Sequence, residues 1–518
     1  QGPERETVSL LIKKTFEDWQ TKLKAQKIVR LSFPLLHSFL DPRLGGSVGN
    51  GHYFILRMMF DGLTRIGADG KPYLSIAESV NISSDQKYYL FKLRKCSWSN
   101  GAPVTAYDFE YTWKSILSPS FKTSSSYLFY PIMHAKAAKE GLVPLENVKI
   151  RAIDESTLAV ELAFPAPYFL ELIANPLFSP VNHQIDQIHP DWAAQEAESY
   201  ICNGPFHLTK RHSFDRYVLK KNPTYWDADN VKLDQITIYK TNNVHEVLEM
   251  FQKDQIDYLG RPMQPWEPFF AHQTPEIDPT PRIYWLTFNV QSFPFNHPKL
   301  RKALALAINR QEIVSALSGD MIPATTPLPR EHTYHLHTAN YEENAGKARV
   351  LFDEALEELG LNRNSFSMPP ILSFQGFLRE TTALIIKRQW EQCFDIHCRV
   401  EAHNLTTLFE RMYRGDYQIS GMGWEPLVND PIYTLDAFKN AKEKVNFSKW
   451  EHEDFQMLLD AANEECDLKK RDEYLLQAEK ILIDQLPVIP LYYEVGKFMK
   501  KENLYVPGIG WQMDFKHA

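Results

Sequence analysis

Cysteine is scarce. Five residues, Cys96, Cys202, Cys393, Cys398 and Cys466, are scattered over 518 positions, which excludes a disulfide framework, and the Cys393/Cys398 spacing is not that of a zinc ribbon or a thiol redox site. They read as buried thiols with at most one bridge, and the odd count leaves one over. Basic charge is not in excess either: 57 Lys+Arg stand against 65 Asp+Glu, a net charge of −8, so the footprint of a nucleic-acid binder is missing. Long apolar runs are absent. The best, Leu162 to Ile173, is interrupted by Pro165, Pro167 and Glu171 and falls short of the roughly 18 residues of a membrane span. Also missing are a phosphate-binding P-loop, a dinucleotide fingerprint, an HExxH helix and a G-x-S-x-G elbow, which weakens the case for an enzyme. A pair of distant carboxylates of the glycosidase type is compatible with the sequence.

What the chain does have is length for about three structural units and a 13% share of aromatic residues. Gln1-Gly2-Pro3 reads as the scar of a cleaved tag, with a native signal or lipid-anchor segment upstream of it, and Thr7 to Lys27 as a leader helix. Beyond it the grammar is mixed α/β. Two-residue alternation predicts a strand over Tyr88 to Arg94, and Thr105 with Asp108 has capping-box spacing ahead of a helix whose inward face is Phe109, Trp113 and Leu117. A hairpin is expected around Asp154-Glu155, strands over Phe206 to Leu208, Arg216 to Lys220 and Ile236 to Tyr239, and a helix over Asn243 to Lys253. Later helices are predicted after Pro298 and over Asn344 to Leu359, Thr381 to Cys393 and Arg471 to Gln485. Strands are expected over Ile371 to Phe374, Cys398 to Ala402, Tyr417 to Met422 and Val488 to Tyr493.

Two features invite chemistry. His332, His335 and His337 place three imidazoles within six residues, but no cysteine or acidic pair nearby completes a tetrahedral set, and a solvated loop is the favoured reading. No cofactor is assigned. Most of the aromatic rings belong to cores, yet Tyr284-Trp285, Gly423-Trp424 and Tyr492-Tyr493 adjoin glycine, proline or a crossing segment, where a ring can line a cleft.

An ordered set of landmarks runs along the chain: Leu40-Asp41-Pro42, Phe60-Asp61-Gly62-Leu63, Trp98 through Phe109, Asn203-Gly204-Pro205-Phe206, Asn222 through Trp226, Leu300-Arg301-Lys302-Ala303-Leu304 and Ile489-Pro490-Leu491-Tyr492-Tyr493. The chain from about residue 27 onward thereby resembles the extracytoplasmic oligopeptide-binding proteins of ABC importers, a class that includes dipeptide, nickel and haem binders. The resemblance implies an α/β fold of two lobes, periplasmic-binding-protein-like (type II), with an extra α+β domain on the first lobe. Lobe I would be 27–62, 197–282 and 488–518, the extra domain 63–196, and lobe II 283–487, after a tag scar and leader in 1–26. It also implies a monomer outside the cytoplasmic membrane, with or without a lipid anchor, whose partners are a peptide or peptide-like ligand and the permease subunits.

In that family an extended peptide adds as a strand. The pairing segments would be Gly45, Gly46, Ser47 and Val48 from lobe I and Met422, Gly423, Trp424 and Glu425 from lobe II, with Tyr127, Tyr284, Trp285, Tyr492 and Tyr493 as further wall residues. The departures bear on the ligand. Leu427 stands where the family places the aspartate that grips the α-ammonium, so Glu425 or Asp430 takes over that role or the ligand is modified, short or not a conventional peptide. Gly421 stands where an arginine receives the terminal carboxylate, and a further basic position falls at Met412, flanked by Arg411 and Arg414. A metal-chelate or haem binder on the same fold is the first alternative function, and a cleft-carboxylate hydrolase the second.

Overall fold

The computed structural model describes residues 27–33, 39–47, 50–194, 200–212, 215–241, 243–260, 274–317, 320–329, 343–506 and 513–517. The leader helix, Val48 and the His332/His335/His337 cluster therefore lie outside the described residues, as does most of the glycine-punctuated stretch Leu504 to Trp511. The chain divides into two compact units: one of residues 1–163, 169–276 and 497–518, the other of 164–168 and 277–496.

Unit 1 begins with β1 (Ile28–Phe33) and α1 (Asn50–Met59), followed by β2 (Thr64–Ile66), β3 (Pro72–Leu74), β4 (Ala77–Ile82) and β5 (Tyr88–Leu93). Next come α2 (Ala106–Leu117), β6 (Ile150–Asp154), β7 (Thr157–Glu161), β8 (Phe206–His212), β9 (Arg216–Lys221), β10 (Gln235–Lys240), α3 (Val244–Gln252) and β11 (Tyr258–Leu259). One sheet runs in the order β1-β10-β9-β8, another β4-β5-β7-β6. The β6/β7 hairpin turns at Asp154-Glu155, and Thr105 and Asp108 close a capping box on α2, as their spacing predicts.

Three sequence landmarks of unit 1 converge on one buried carboxylate. Asp61 accepts from the Tyr225 hydroxyl at 2.7 Å, the Trp226 indole at 3.1 Å and the Ser75 hydroxyl at 2.6 Å, while Asn203 exchanges two hydrogen bonds with the Asp61 backbone. Beside it Gly204 tolerates no side chain, since a Cβ would lie 2.4 Å from the Met59 carbonyl carbon. Arg65 joins Asp61 at 3.4 Å to Asp514 at 2.6 Å, which ties the C-terminal residues into this core. These motifs are thus cornerstones of packing: each places a polar group where burial demands a partner.

Unit 2 contains β12 (Glu276–Phe288), α4 (Pro298–Leu306), β13 (Ile322–Pro323), α5 (Ala345–Glu358), β14 (Ile371–Phe374), α6 (Phe377–Phe394) and β15 (Val400–His403). It continues with α7 (Leu405–Arg414), β16 (Ile419–Trp424), α8 (Pro431–Asp436), α9 (Glu453–Glu464), α10 (Leu468–Gln485) and β17 (Val488–Lys500). Its strands follow the order β17-β12-β16-β14-β15, with β13 on β17. Alternate residues of β12 serve two cores. Tyr284, Leu286 and Phe288 enter one with α4, α5 and α6; Ile283 and Trp285 enter the other with α8, α9 and α10. A sheet covered on both faces explains why these strands read as continuous apolar runs. Buried Arg301 on α4 donates to the Gln485 and Leu486 carbonyls, satisfying the end of α10, and burial lowers its pKa to about 10. Strands β12 and β17 begin or end in unit 1 and carry the chain from one unit to the other.

Candidate functional site

Strand β16 holds most of the residues that the sequence singled out in lobe II. It pairs antiparallel with β12 along its whole length, Trp424 opposite Ile283 through Ile419 opposite Phe288. On its other edge β14 pairs only with Ile419 and Ser420. Among the described residues no strand takes the edge from Gly421 to Trp424, and Gly423 there is exposed. Such an edge presents unpaired backbone donors and acceptors.

The two faces of this segment differ. Met422 and Trp424 point with Trp285 into a narrow apolar pocket that Phe438 and Phe447 also line. The Trp424 ring stacks on Trp285 at 6.0 Å, meets Tyr433 at 5.7 Å, and its indole donates to the Thr434 hydroxyl at 2.9 Å. Trp424 is thereby a fixed part of the wall, 8% exposed.

The opposite face carries Gly421 and Gly423, and a polar cluster fills the room left by their missing side chains. A Cβ on Gly421 would lie 2.0 Å from the Tyr284 hydroxyl; one on Gly423 would lie 3.8 Å from Glu494 Oε1 and 3.9 Å from Arg379 Nη2. Tyr284 stacks on Tyr492 at 5.4 Å, and the Arg379 guanidinium lies over the Tyr284 ring at 4.1 Å. Arg379 also reaches Glu494 at 2.6 Å and the Tyr492 hydroxyl at 3.2 Å. Arg282 bridges Glu425 at 3.2 Å and Glu494 at 3.4 Å. Burial opposes the Arg379 charge, but Glu494 and the two tyrosines outweigh it, so its pKa stands above the ordinary value. Burial raises the Tyr284 and Tyr492 hydroxyls, which stay protonated donors.

The remaining sequence candidates are placed as follows. Gly45, Gly46 and Ser47 close a short 3₁₀ turn, Pro42–Ser47, in unit 1, and Tyr127 lies half-buried in another, Ser126–Phe129. Tyr493 is half-buried and donates to the Leu328 carbonyl at 3.2 Å. Leu427 is buried. Asp430 forms a two-pronged pair with Arg471, both contacts at 2.9 Å, and accepts from the Ile432 amide at the start of α8. Arg411 contacts Glu401 at 3.2 Å and His403 at 3.1 Å around a separate polar pocket with Asp416 and Gln418, while Met412 is buried under α7 and Arg414 is exposed.

Sequence reasoning missed Arg282, Arg379 and Glu494. The one signal available was Glu494 itself, a carboxylate directly after the apolar run Val488 to Tyr493. Arg379 lies in the first turn of α6, which begins four residues before the predicted start at Thr381.

Comparison with known proteins places this geometry. Residues 71–446 match the profile of the bacterial extracellular solute-binding proteins, family 5 Middle. The oligopeptide-binding protein OppA of Bacillus subtilis is 34% identical over 92% of this chain and 90% of its own length, and the dipeptide-binding protein DppE of the same organism is 30% identical over 94% and 90%. Among solved structures, Listeria monocytogenes OppA bound to peptide superposes with a TM-score of 0.79 at 25% identity, covering 95% of this chain and 99% of that one. The substrate-binding domain of a Bacillus anthracis oligopeptide ABC transporter gives 0.80 at 26% identity, covering 95% and 98%. The fold is accordingly the two-lobed, type II periplasmic-binding-protein-like α/β fold, and the matched proteins are binding proteins. On the profile match and the 34% identity across nearly its whole length, the chain belongs to family 5 of the bacterial extracellular solute-binding proteins.

Proposed function

We propose that the protein is the solute-binding component of an ABC importer and captures a peptide by extending the sheet at the open edge of β16. The observation that carries this reading is the Gly421 to Trp424 edge, unpaired by any described strand. The relatives named for oligopeptides and dipeptides support it. Backbone pairing makes affinity largely independent of side chains. The second wall is Gly45 to Val48 with Tyr127, in a lobe I of 27–62, 197–282 and 488–518 that carries the extra domain 63–196; lobe II is 283–487. Binding shifts the population toward a closed form that the permease recognises. No bond in the ligand is broken, and the protein acts as a monomer outside the cytoplasmic membrane.

Isothermal calorimetry on equal-length peptides of unrelated sequence tests the reading. Affinities are expected to agree within about tenfold, while N-methylation of one central amide lowers affinity by about tenfold or more, since it removes one strand hydrogen bond. Absence of binding by every peptide sinks it, and recovery of cleaved peptide sinks the non-catalytic part.

A further inference from the structure

Among the described residues, the charged groups along the glycine face of β16 pair with one another. This wall holds two guanidinium groups, Arg282 and Arg379, and two carboxylates, Glu425 and Glu494, in one connected cluster: Arg379 to Glu494 at 2.6 Å, Glu494 to Arg282 at 3.4 Å, Arg282 to Glu425 at 3.2 Å. The carboxylate side chains are 6% exposed and the guanidiniums 15% and 26%, so opposite charges offset one another at a largely buried surface. The next carboxylate along the chain, Asp430, is held by both prongs of Arg471 and caps α8. Between Glu425 and Asp430 the buried residues are Pro426, Leu427 and Val428. The basic residues further back are not part of this group: Arg411 is engaged with Glu401 and His403.

A terminal ammonium or carboxylate that leaves water needs an opposite charge in return. To obtain one here it must take a partner from the cluster and leave a buried ion unmatched. Peptide backbone makes no such demand, because it is dipolar and neutral, and the open edge offers the donors and acceptors it needs. We infer that unit 2 receives an internal stretch of peptide, with neither the terminal ammonium nor the terminal carboxylate held by a charge of this wall. The inference rests on the peptide reading above and narrows it: the substrate class is peptides long enough to run past this wall at both ends, and terminal blocking is tolerated.

The test uses one hexapeptide in four forms, free, N-acetylated, C-amidated and doubly blocked, titrated calorimetrically into the whole protein. The four affinities are expected to agree within about threefold. A loss of about tenfold or more on blocking either end overturns the inference; failure of all four to bind overturns the peptide reading instead. Two variants then report on the cluster with opposite signs. Glu494→Gln leaves a cation in excess, and because strand pairing lets the peptide shift register, the free C-terminal acid is expected to slide to it and to be favoured over its amide by about tenfold, whereas Arg379→Gln leaves a carboxylate in excess and draws the free amine in the same way, favouring it over its acetylated form. If either folded variant treats blocked and free peptides alike, the cluster does not face the ligand and the inference falls.

Discussion

Gly421 is the residue on which the glycine face depends. Its missing side chain is replaced by the Tyr284 hydroxyl, 2.0 Å from where a Cβ would stand, so Gly421→Ala must push the ring off Arg379. That overpacking is expected to cost about 1–3 kcal/mol and to weaken peptide binding. Adding Tyr284→Phe, which removes the clashing oxygen, recovers part of the stability, and chemical denaturation of the single and double variants measures both effects. Glu479 makes a second prediction at this scale. It is buried in α10, where its Oε1 oxygen accepts from the Thr326 hydroxyl, and burial raises its pKa to about 7. The folded protein therefore keeps a proton that the unfolded chain, at an ordinary carboxylate value, has lost. Its contribution to stability is fully present below the unfolded pKa and is lost as pH rises toward 7, a change of about 3 kcal/mol. Glu479→Gln is expected to flatten that part of the pH dependence and to raise the denaturation midpoint above pH 7, compared with wild type at pH 5 and pH 7.5.

At the scale of elements, local rules placed most boundaries. Asn243, Asn344 and Asp467 cap α3, α5 and α10, each accepting from amides of its helix's first turn. Replacing Asp467 by Ala is expected to cost about 1 kcal/mol, read as a shift in unfolding midpoint. The departures have physical causes. Helix α6 starts at Phe377 because Gly376, at φ 143°, turns the chain there and its amide bonds to Glu380; no apolar periodicity marks that turn. Strand β17 runs on to Lys500, beyond the predicted Tyr493, because β11 pairs with its far end. As an aromatic beside glycine, Trp424 was expected to line a cleft; its stacking on Trp285 and its bond to Thr434 came from the structure. That Arg379 from a helix and Glu494 from another strand meet at the same glycines was not legible, since nothing local links positions so far apart.

For the whole molecule, the division of labour lies between packing landmarks and the site. Asp61 and its partners hold unit 1, and the Asp514 link to Arg65 and Arg57 fastens the last residues to that core. Burial disfavours the Asp514 charge, yet the two arginines hold its pKa well below the usual carboxylate range. Asp514→Ala takes the paired carboxylate from buried Arg57 and leaves Arg65 only its longer contact to Asp61, and is expected to destabilise by about 3–5 kcal/mol. Calorimetry should show the loss confined to the transition of unit 1, with that of unit 2 unmoved; a shift in both would show that the two unfold as one.

The amino-acid sequence by itself determined the α/β class, most strands and helices, and the family, because periodicity, caps and ordered landmarks are local properties that survive without coordinates. It also located the strand that carries the open edge, and the departures at Gly421 and Leu427. Only the tertiary structure decided what occupies the space beside them. The Arg282, Glu425, Arg379 and Glu494 cluster is assembled from three strands or their ends and one helix, and whether a charge is available to a ligand or already neutralised depends on distances that only the packed chain sets.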